Sequence, residues 1–112
     1  MKKLEIIVRP GMLELLRDEL SRHNIHGLNY TEIHGYGRQK GHTEVYRGSA
    51  LQVDFVPKIK LEIVLHDEQI EEVINTVVAT TRTGQVGDGK IFVFDVVDCV
   101  RIRTGERGVD AL

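Results

Sequence analysis

A chain of 112 residues with 41% hydrophobic and 29% charged positions has the composition of one compact domain, which excludes multi-domain, disordered and fibrous architectures. Fifteen Lys and Arg against seventeen Asp and Glu leave a formal net charge of -2, and with no Trp and 5% aromatics there is neither a basic field nor a stacking platform for nucleic acid. Cys99, the single cysteine, cannot close a disulfide within the chain, which suits a reducing compartment.

Glu5 and Arg9-Pro10 interrupt the apolar start too early for a signal peptide, and no apolar run approaches the roughly 20 residues of a membrane span, so a cytoplasmic location is expected. From Leu4 to Arg9 apolar and polar residues alternate, which predicts a strand. Pro10 opens a helix in which Leu13, Leu16 and Leu20 recur at helical spacing, running to about Asn24. His26-Gly27 turns the chain into a second strand, Leu28 to His34, which Gly35 and Gly37 break. Between Gly37 and Val56 neither period is present; a loop longer than about 12 to 15 residues is expected to be functional or disordered. After Pro57, Ile59, Leu61, Ile63 and Leu65 alternate with Lys58, Lys60, Glu62 and Val64 in a third strand.

Asp67 is the expected N-cap of a second helix carrying Ile70, Val73, Ile74, Val77 and Val78 on one face, with Glu68, Glu71 and Glu72 near its positive end. A glycine-rich turn, Thr83 to Lys90, leads into Ile91 to Arg103, whose run of Val, Ile and Phe reads as the most buried strand; the tail after Gly105 is irregular. Strand, helix, strand, strand, helix, strand is the α+β, ferredoxin-like βαββαβ sandwich, an antiparallel sheet with two helices on one face. The other face would carry Ile7 and Val64 amid charges and is expected to be covered by other subunits.

Three glycines in Thr83-Gly84-Gln85-Val86-Gly87-Asp88-Gly89-Lys90 let backbone N–H groups converge on an anion beside a lysine, the makings of a phosphate cradle; a tight helix-to-strand turn is the alternative. The stretch nearly matches the P-loop pattern, but Ile91 stands where a magnesium-binding hydroxyl belongs and a strand follows instead of a helix. Arg101 and Arg103, alternating along the predicted last strand, would present two guanidiniums on one face for a polyphosphate, or pair with carboxylates such as Glu106. A second glycine cluster from Gly35 to Gly41 opens the long loop with Arg38 and Lys40. His23, His26, His34, His42 and His66 lack the helical spacing of a zinc site, Asp95 and Asp98 fall on opposite faces of the predicted strand, and Cys99 reads as a small packing residue.

The segments Gly35-Tyr36-Gly37-Arg38-Gln39-Lys40-Gly41-His42-Thr43-Glu44, Tyr46-Arg47-Gly48, Asp54-Phe55-Val56-Pro57-Lys58, Thr83 to Val93 and Arg101-Ile102-Arg103-Thr104-Gly105 closely resemble the PII family of nitrogen-regulatory signal proteins, and the resemblance spans essentially the whole chain. It implies one domain over residues 1–112, with a T-loop at about 37–56, a B-loop at about 82–90 and a C-terminal loop at about 101–112. It further implies a non-enzymatic homotrimer that binds ATP or ADP in its intersubunit clefts and, with Mg2+ and ATP present, 2-oxoglutarate. Carried over by position, Gly87, Asp88, Gly89, Lys90, Arg101 and Arg103 would hold phosphates, Gly35, Gly37, Arg38 and Gln39 would contribute at the loop base, and Ile7, Glu62 and Val64 would bound the adenosine. Asn29 stands beside the adenine where Thr is usual. Gln39 would offer an oxygen to Mg2+, Lys58 would pair with the distal carboxylate of 2-oxoglutarate, and Arg9, Lys40, Gly41 and Gly87 would adjoin that acid.

The implied partners of the T-loop are ammonium transporters, nitrogen-control kinases and glutamine synthetase modifying enzymes, with membranes reached only through a transporter. Leu51 occupies the position of the tyrosine that receives a nucleotidyl group and Ala50 replaces a customary Glu, so a specialised partner is an alternative. Ser49 matches a position phosphorylated in some relatives, and Tyr46 could serve as a substitute modification site. Two other readings stand beside the sensor: a paralogue retuned to another small anion such as bicarbonate with a transporter or carbon-metabolism partner, and a slow nucleotidase, which lacks an evident base or nucleophile in the matched motifs.

Overall fold

The computed structural model describes residues 1–36 and 55–112 in full, together with the backbone of Thr43–Tyr46 and Ser49–Gln52. Alternation along β1 (Lys2–Val8) buries Leu4, Ile6 and Val8 and turns Lys3, Glu5 and Ile7 to the opposite face. A single 3-10 turn, Pro10–Met12, precedes α1 (Leu13–Arg22), so the helix proper starts three residues after the proline that opens it. The remaining elements are β2 (Asn29–Tyr36), β3 (Thr43–Tyr46), β4 (Ser49–Gln52), β5 (Phe55–Leu65), α2 (Ile70–Thr81) and β6 (Lys90–Asp95).

The main sheet has the order β2-β5-β1-β6 with every neighbouring pair antiparallel. Its buried face carries Leu4, Ile6 and Val8 with Ile59, Leu61, Ile63 and Leu65; α1 contributes Leu16 and Leu20 to the same cluster and α2 contributes Ile70, Val73 and Val77. This is the expected ferredoxin-like α+β sandwich with both helices on one face. The opposite face stays open, with Lys60 bridging Glu62 at 3.5 Å and Glu5 at 3.9 Å, and with Val64, Phe92 and Phe94 exposed. Among the described residues no helix is long and apolar enough to cross a membrane.

Several boundaries differ from the sequence reading. Gly35 does not end β2, which runs through it to Tyr36 because Gly35 and Tyr36 pair with Val56 and Phe55. β5 correspondingly starts before Pro57; the β1 ladder ends at Val8↔Ile59, so Pro57 has a neighbour on the β2 side alone, where a missing N–H is tolerated. Within the segment read as lacking any period, β3 and β4 pair antiparallel from Thr43↔Gln52 to Tyr46↔Ser49; their sequence does not alternate, so a reading by periodicity is blind to the pair. His66, not Asp67, is the N-cap of the turn before α2: Gln69 closes a capping box on it, and the Asp67 carboxylate accepts from the Met1 ammonium at 2.9 Å.

The largest correction concerns the last strand. β6 stops at Asp95 and is an edge strand in the single chain, with Phe92, Val93 and Phe94 43 to 47% exposed. Its apolar run was the cue for deep burial, yet among the described residues it pairs with β1 alone and its outer edge has no neighbour. Beyond Asp95 the chain forms a separate loop closed by a Val100↔Arg107 bridge and by the Asp98–Arg107 ion pair, so strand parity does not govern Asp98, Arg101 or Arg103. Cys99 is half-buried.

Leu61 has no exposed surface and sits on β5 between Ile6 and Tyr30. Leu61→Ala is therefore expected to cost about 2–5 kcal/mol, read as a fall in the urea midpoint at fixed protein concentration; a loss below about 1 kcal/mol would contradict the assigned core.

Candidate functional site

At one end of the open face the pairing brings together Ile7 of β1, Lys90 at the start of β6, Lys58 of β5 and Gly35 of β2. These residues, with Ile33, Tyr36, Val86, Gly87, Gly89 and Phe92, line a groove of about 700 Å³. The glycine-rich turn forms its wall. Gly84, Gly87 and Gly89 have φ of 85°, 103° and 115°, in the left-handed region that side chains avoid. At Gly89 there is a second reason: a Cβ would lie 1.9 Å from the main-chain oxygen of Ile7, so the turn rests directly on the backbone of β1.

The turn is organised around its own carboxylate. Asp88 accepts at Oδ1 from the Thr83 hydroxyl (2.5 Å) and Arg9 Nη1 (2.7 Å), and at Oδ2 from the N–H groups of Thr83 (2.8 Å) and Gly84 (2.9 Å). The Thr83 hydroxyl first, then Arg9, hold its pKa well below the usual carboxylate range. The second arm of Arg9 donates to the main-chain oxygen of Val86 at 3.1 Å, so Arg9 clamps the turn at two points. Lys58 is nine-tenths buried and donates from Nζ to the Gly87 oxygen at 2.7 Å. Burial, reinforced by the Arg9 charge and opposed by Asp88, lowers its pKa. A lysine ammonium has three donors, and among the described residues one is used, which leaves Lys58 equipped for an anion in the groove.

Ile7, Gly35, Lys58, Gly87, Gly89 and Lys90 therefore meet at one site, with Arg9 and Asp88 tied to its wall. Asn29, Glu62 and Val64 lie farther along the open face: Asn29 pairs with Glu62, and Val64 with Lys3. Gly37, Arg38, Gln39, Lys40 and Gly41 lie outside the described residues, as do the side chains of Tyr46, Ser49, Ala50 and Leu51. Arg101 and Arg103 are not brought to the groove within one chain. β6 leads away from the groove, from Lys90 beside Ile7 to Asp95 beside Lys2, and both arginines follow its far end in a turn instead of alternating on a strand. Arg101 makes the ion pair named as its alternative, Nη1 to Glu106 at 2.7 Å.

The part that sequence reasoning missed is the Thr83–Asp88 knot and the Arg9 clamp. A Thr and an Asp flanking a glycine turn signal side-chain-to-backbone bonding and could have revealed the knot; nothing local points to Arg9, which is 79 positions away in the chain.

Comparison with known proteins bears on what such a groove serves. A family described as nitrogen regulatory protein P-II matches residues 1–106. The chain belongs to the nitrogen regulatory protein P-II family. It is similar to a nitrogen regulatory protein P-II of Pasteurella multocida, 53% identical over 112 residues that cover all of both chains, and to one of Haemophilus influenzae, 50% identical over the same span. Nitrogen regulatory protein P-II 1 of Escherichia coli strain K12 is 51% identical over 106 residues, 95% of each chain. P-II membership makes this a regulatory signalling protein, and the family agrees with the fold described above.

Gly89→Ala forces a Cβ against β1 and should lower stability by about 1–3 kcal/mol or more, whereas Gly84→Ala, which meets open space, should cost only about 1–2 kcal/mol from its backbone angle. Equal urea midpoints for the two variants would contradict the close approach. Asp88 has a lowered folded-state pKa, so its stabilisation is present at neutral pH and is lost as pH falls below the ordinary aspartate range. The stability gap between the parent and Asp88→Asn should therefore be open at about pH 7 and close on titration from about pH 5 downward, measured by chemical denaturation.

Proposed function

We propose that this chain is a non-enzymatic sensor subunit of a homotrimer, taking ATP or ADP and, with Mg2+ and ATP present, 2-oxoglutarate, at grooves completed between copies. The single observation that carries this reading is the division of cations along the sheet: Lys90 and the glycine turn, with Lys58 beside them, stand at one end while Arg101 and Arg103 follow the other, so a polyphosphate site would need both ends. A second copy supplying the arginines would complete the set. Exposed Val64, Phe92 and Phe94 on the open face, and Val97 and Ile102, 98% and 99% exposed in the C-terminal loop, support burial between copies.

The groove's chemistry fits the ligands. Gly87 and Lys90 offer a backbone turn and a charge to phosphate, and the remaining donors of the buried Lys58 ammonium suit a carboxylate of 2-oxoglutarate. Gln39 is the residue that would offer Mg2+ a hard oxygen, and the ion would neutralise phosphate charge there. Among the described residues at the groove, the one carboxylate, Asp88, is kept ionised by four donors and is a poor base for activating water. This supports a binding role over a nucleotidase.

Residues 37–56 would carry the state of the groove to cytoplasmic targets of the ammonium transporter, nitrogen-control kinase or glutamine synthetase modifying class, with a membrane met only through a transporter. Leu51 has no hydroxyl, so nucleotidyl transfer at that position is chemically excluded, and Ser49 or Tyr46 would have to serve any modification. The same residue, with Ala50, favours a second reading: a chain retuned to another small anion such as bicarbonate and to a transporter or carbon-metabolism partner.

Calorimetry with ATP, ADP, 2-oxoglutarate in the presence of Mg2+ and ATP, and bicarbonate separates the readings. Absence of heat from 2-oxoglutarate removes the central effector, and heat from bicarbonate instead selects the second reading. Lys58→Met keeps the aliphatic stem and removes the ammonium; it should weaken 2-oxoglutarate by roughly 10- to 100-fold while ADP affinity stays near its original value. Equal losses for both ligands would contradict the role given to Lys58.

A further inference from the structure

We propose that Glu106 sets the nucleotide affinity of this chain by competing with phosphate for Arg101. The inference rests on the nucleotide reading above and adds to it a residue that the reading does not use. The turn after Val100 is closed by its own backbone: Arg101 N–H donates to the Glu106 oxygen at 2.9 Å, and Gly105 N–H donates to the Arg101 oxygen at 2.7 Å, with Gly105 at a φ of 75°. That closure sets the Glu106 carboxylate opposite the Arg101 guanidinium. Oε1 accepts from Arg101 Nη1 at 2.7 Å and from the Thr104 hydroxyl at 2.7 Å, and the other arm of Arg101 reaches the Leu112 oxygen at 3.3 Å.

A guanidinium binds carboxylate and phosphate oxygens through the same N–H groups; Glu106 occupies Nη1 and the Leu112 oxygen occupies Nη2 of Arg101, so a phosphate arriving end-on at those two arms competes with Glu106. Arg103 is exposed two residues on, and among the described residues it has no acidic partner. One arginine is thus shielded and the other open. Arg101 and Glu106 are both partly exposed, which keeps the pair weak and the exchange reversible. Glu106 tunes affinity downward by a modest factor and does not lock the site.

Because the turn's backbone bonds do not involve the Glu106 side chain, Glu106→Gln leaves the turn closed and removes only the charge. Calorimetry on the full chain should give an ADP dissociation constant roughly 2- to 5-fold lower for Glu106→Gln than for the parent, the span an exposed ion pair supports. Adenosine, which has no phosphate, should bind both alike. In an Arg101→Met background the gain from Glu106→Gln should vanish. Unchanged or weaker ADP binding in Glu106→Gln, as a merely structural Glu106 would produce, overturns the proposal; so does a gain that persists without Arg101 or that extends to adenosine. A parent protein that binds neither ATP nor ADP overturns the nucleotide reading itself, and this proposal with it.

Discussion

The working end of this molecule depends on a carboxylate that the chain supplies to itself. The four donors around Asp88 come from the start of the turn, Thr83 and Gly84, and from Arg9 just past β1, so one side chain fastens the glycine turn to the sheet. Without it, a segment with three left-handed glycines would have many conformations open to it, and fixing it would fall to the ligand. The turn is instead shaped in advance, with Gly89 against the Ile7 oxygen and Gly87 held by Lys58. Preorganisation of this kind would lower the ordering cost of binding an anion at the turn.

The arrangement of charge follows a division of labour along the sheet. Cations that adjoin the groove come from just past β1, from β5 and from β6 at one end, and two of the three have a defined local partner: Arg9 has Asp88, and Lys58 has a main-chain oxygen. The arginines of the C-terminal loop are placed apart from them and are held by a separate set of bonds, Arg101 with Glu106 and Arg107 with Asp98. Lys58 in the groove is nearly fully buried, whereas Arg103 and Arg107 of the loop face water. Electrostatic interaction at Lys58 is accordingly stronger and less sensitive to salt than at those two arginines.

The sequence made the fold legible where burial imposes a period. Leu4, Ile6 and Val8, then Ile59 to Leu65, then Ile70, Val73 and Val77 all lie where alternation or helical spacing put them, because each had one face to hide. It failed where burial is not the governing constraint. The apolar run of β6 is an edge in the single chain, the β3–β4 pair has no period to read, and the two arginines sit in a turn whose Gly105 and Glu106 outweigh the strand character of Val100 and Ile102. In the site, the glycines and Lys58 were readable from composition and from the family resemblance. The Arg9 clamp required tertiary geometry, since a contact across 79 positions leaves no local trace, whereas the Thr83–Asp88 knot spans five residues and its local signal, a Thr and an Asp flanking a glycine turn, was passed over.

The early end of the β1 ladder has a mechanical consequence. From His34↔Pro57 to Tyr36↔Phe55, β2 and β5 continue as a two-stranded ribbon after β1 has stopped at Ile59, with the Tyr36 and Phe55 rings 5.7 Å apart at its outer limit. Ribbons of two strands coil more strongly than the interior of a broad sheet, because no third strand resists torsion. The root of this ribbon is the pair Ile33↔Lys58, inside the groove. A rotation imposed at that pair would be carried outward along the ribbon to Tyr36 and Phe55.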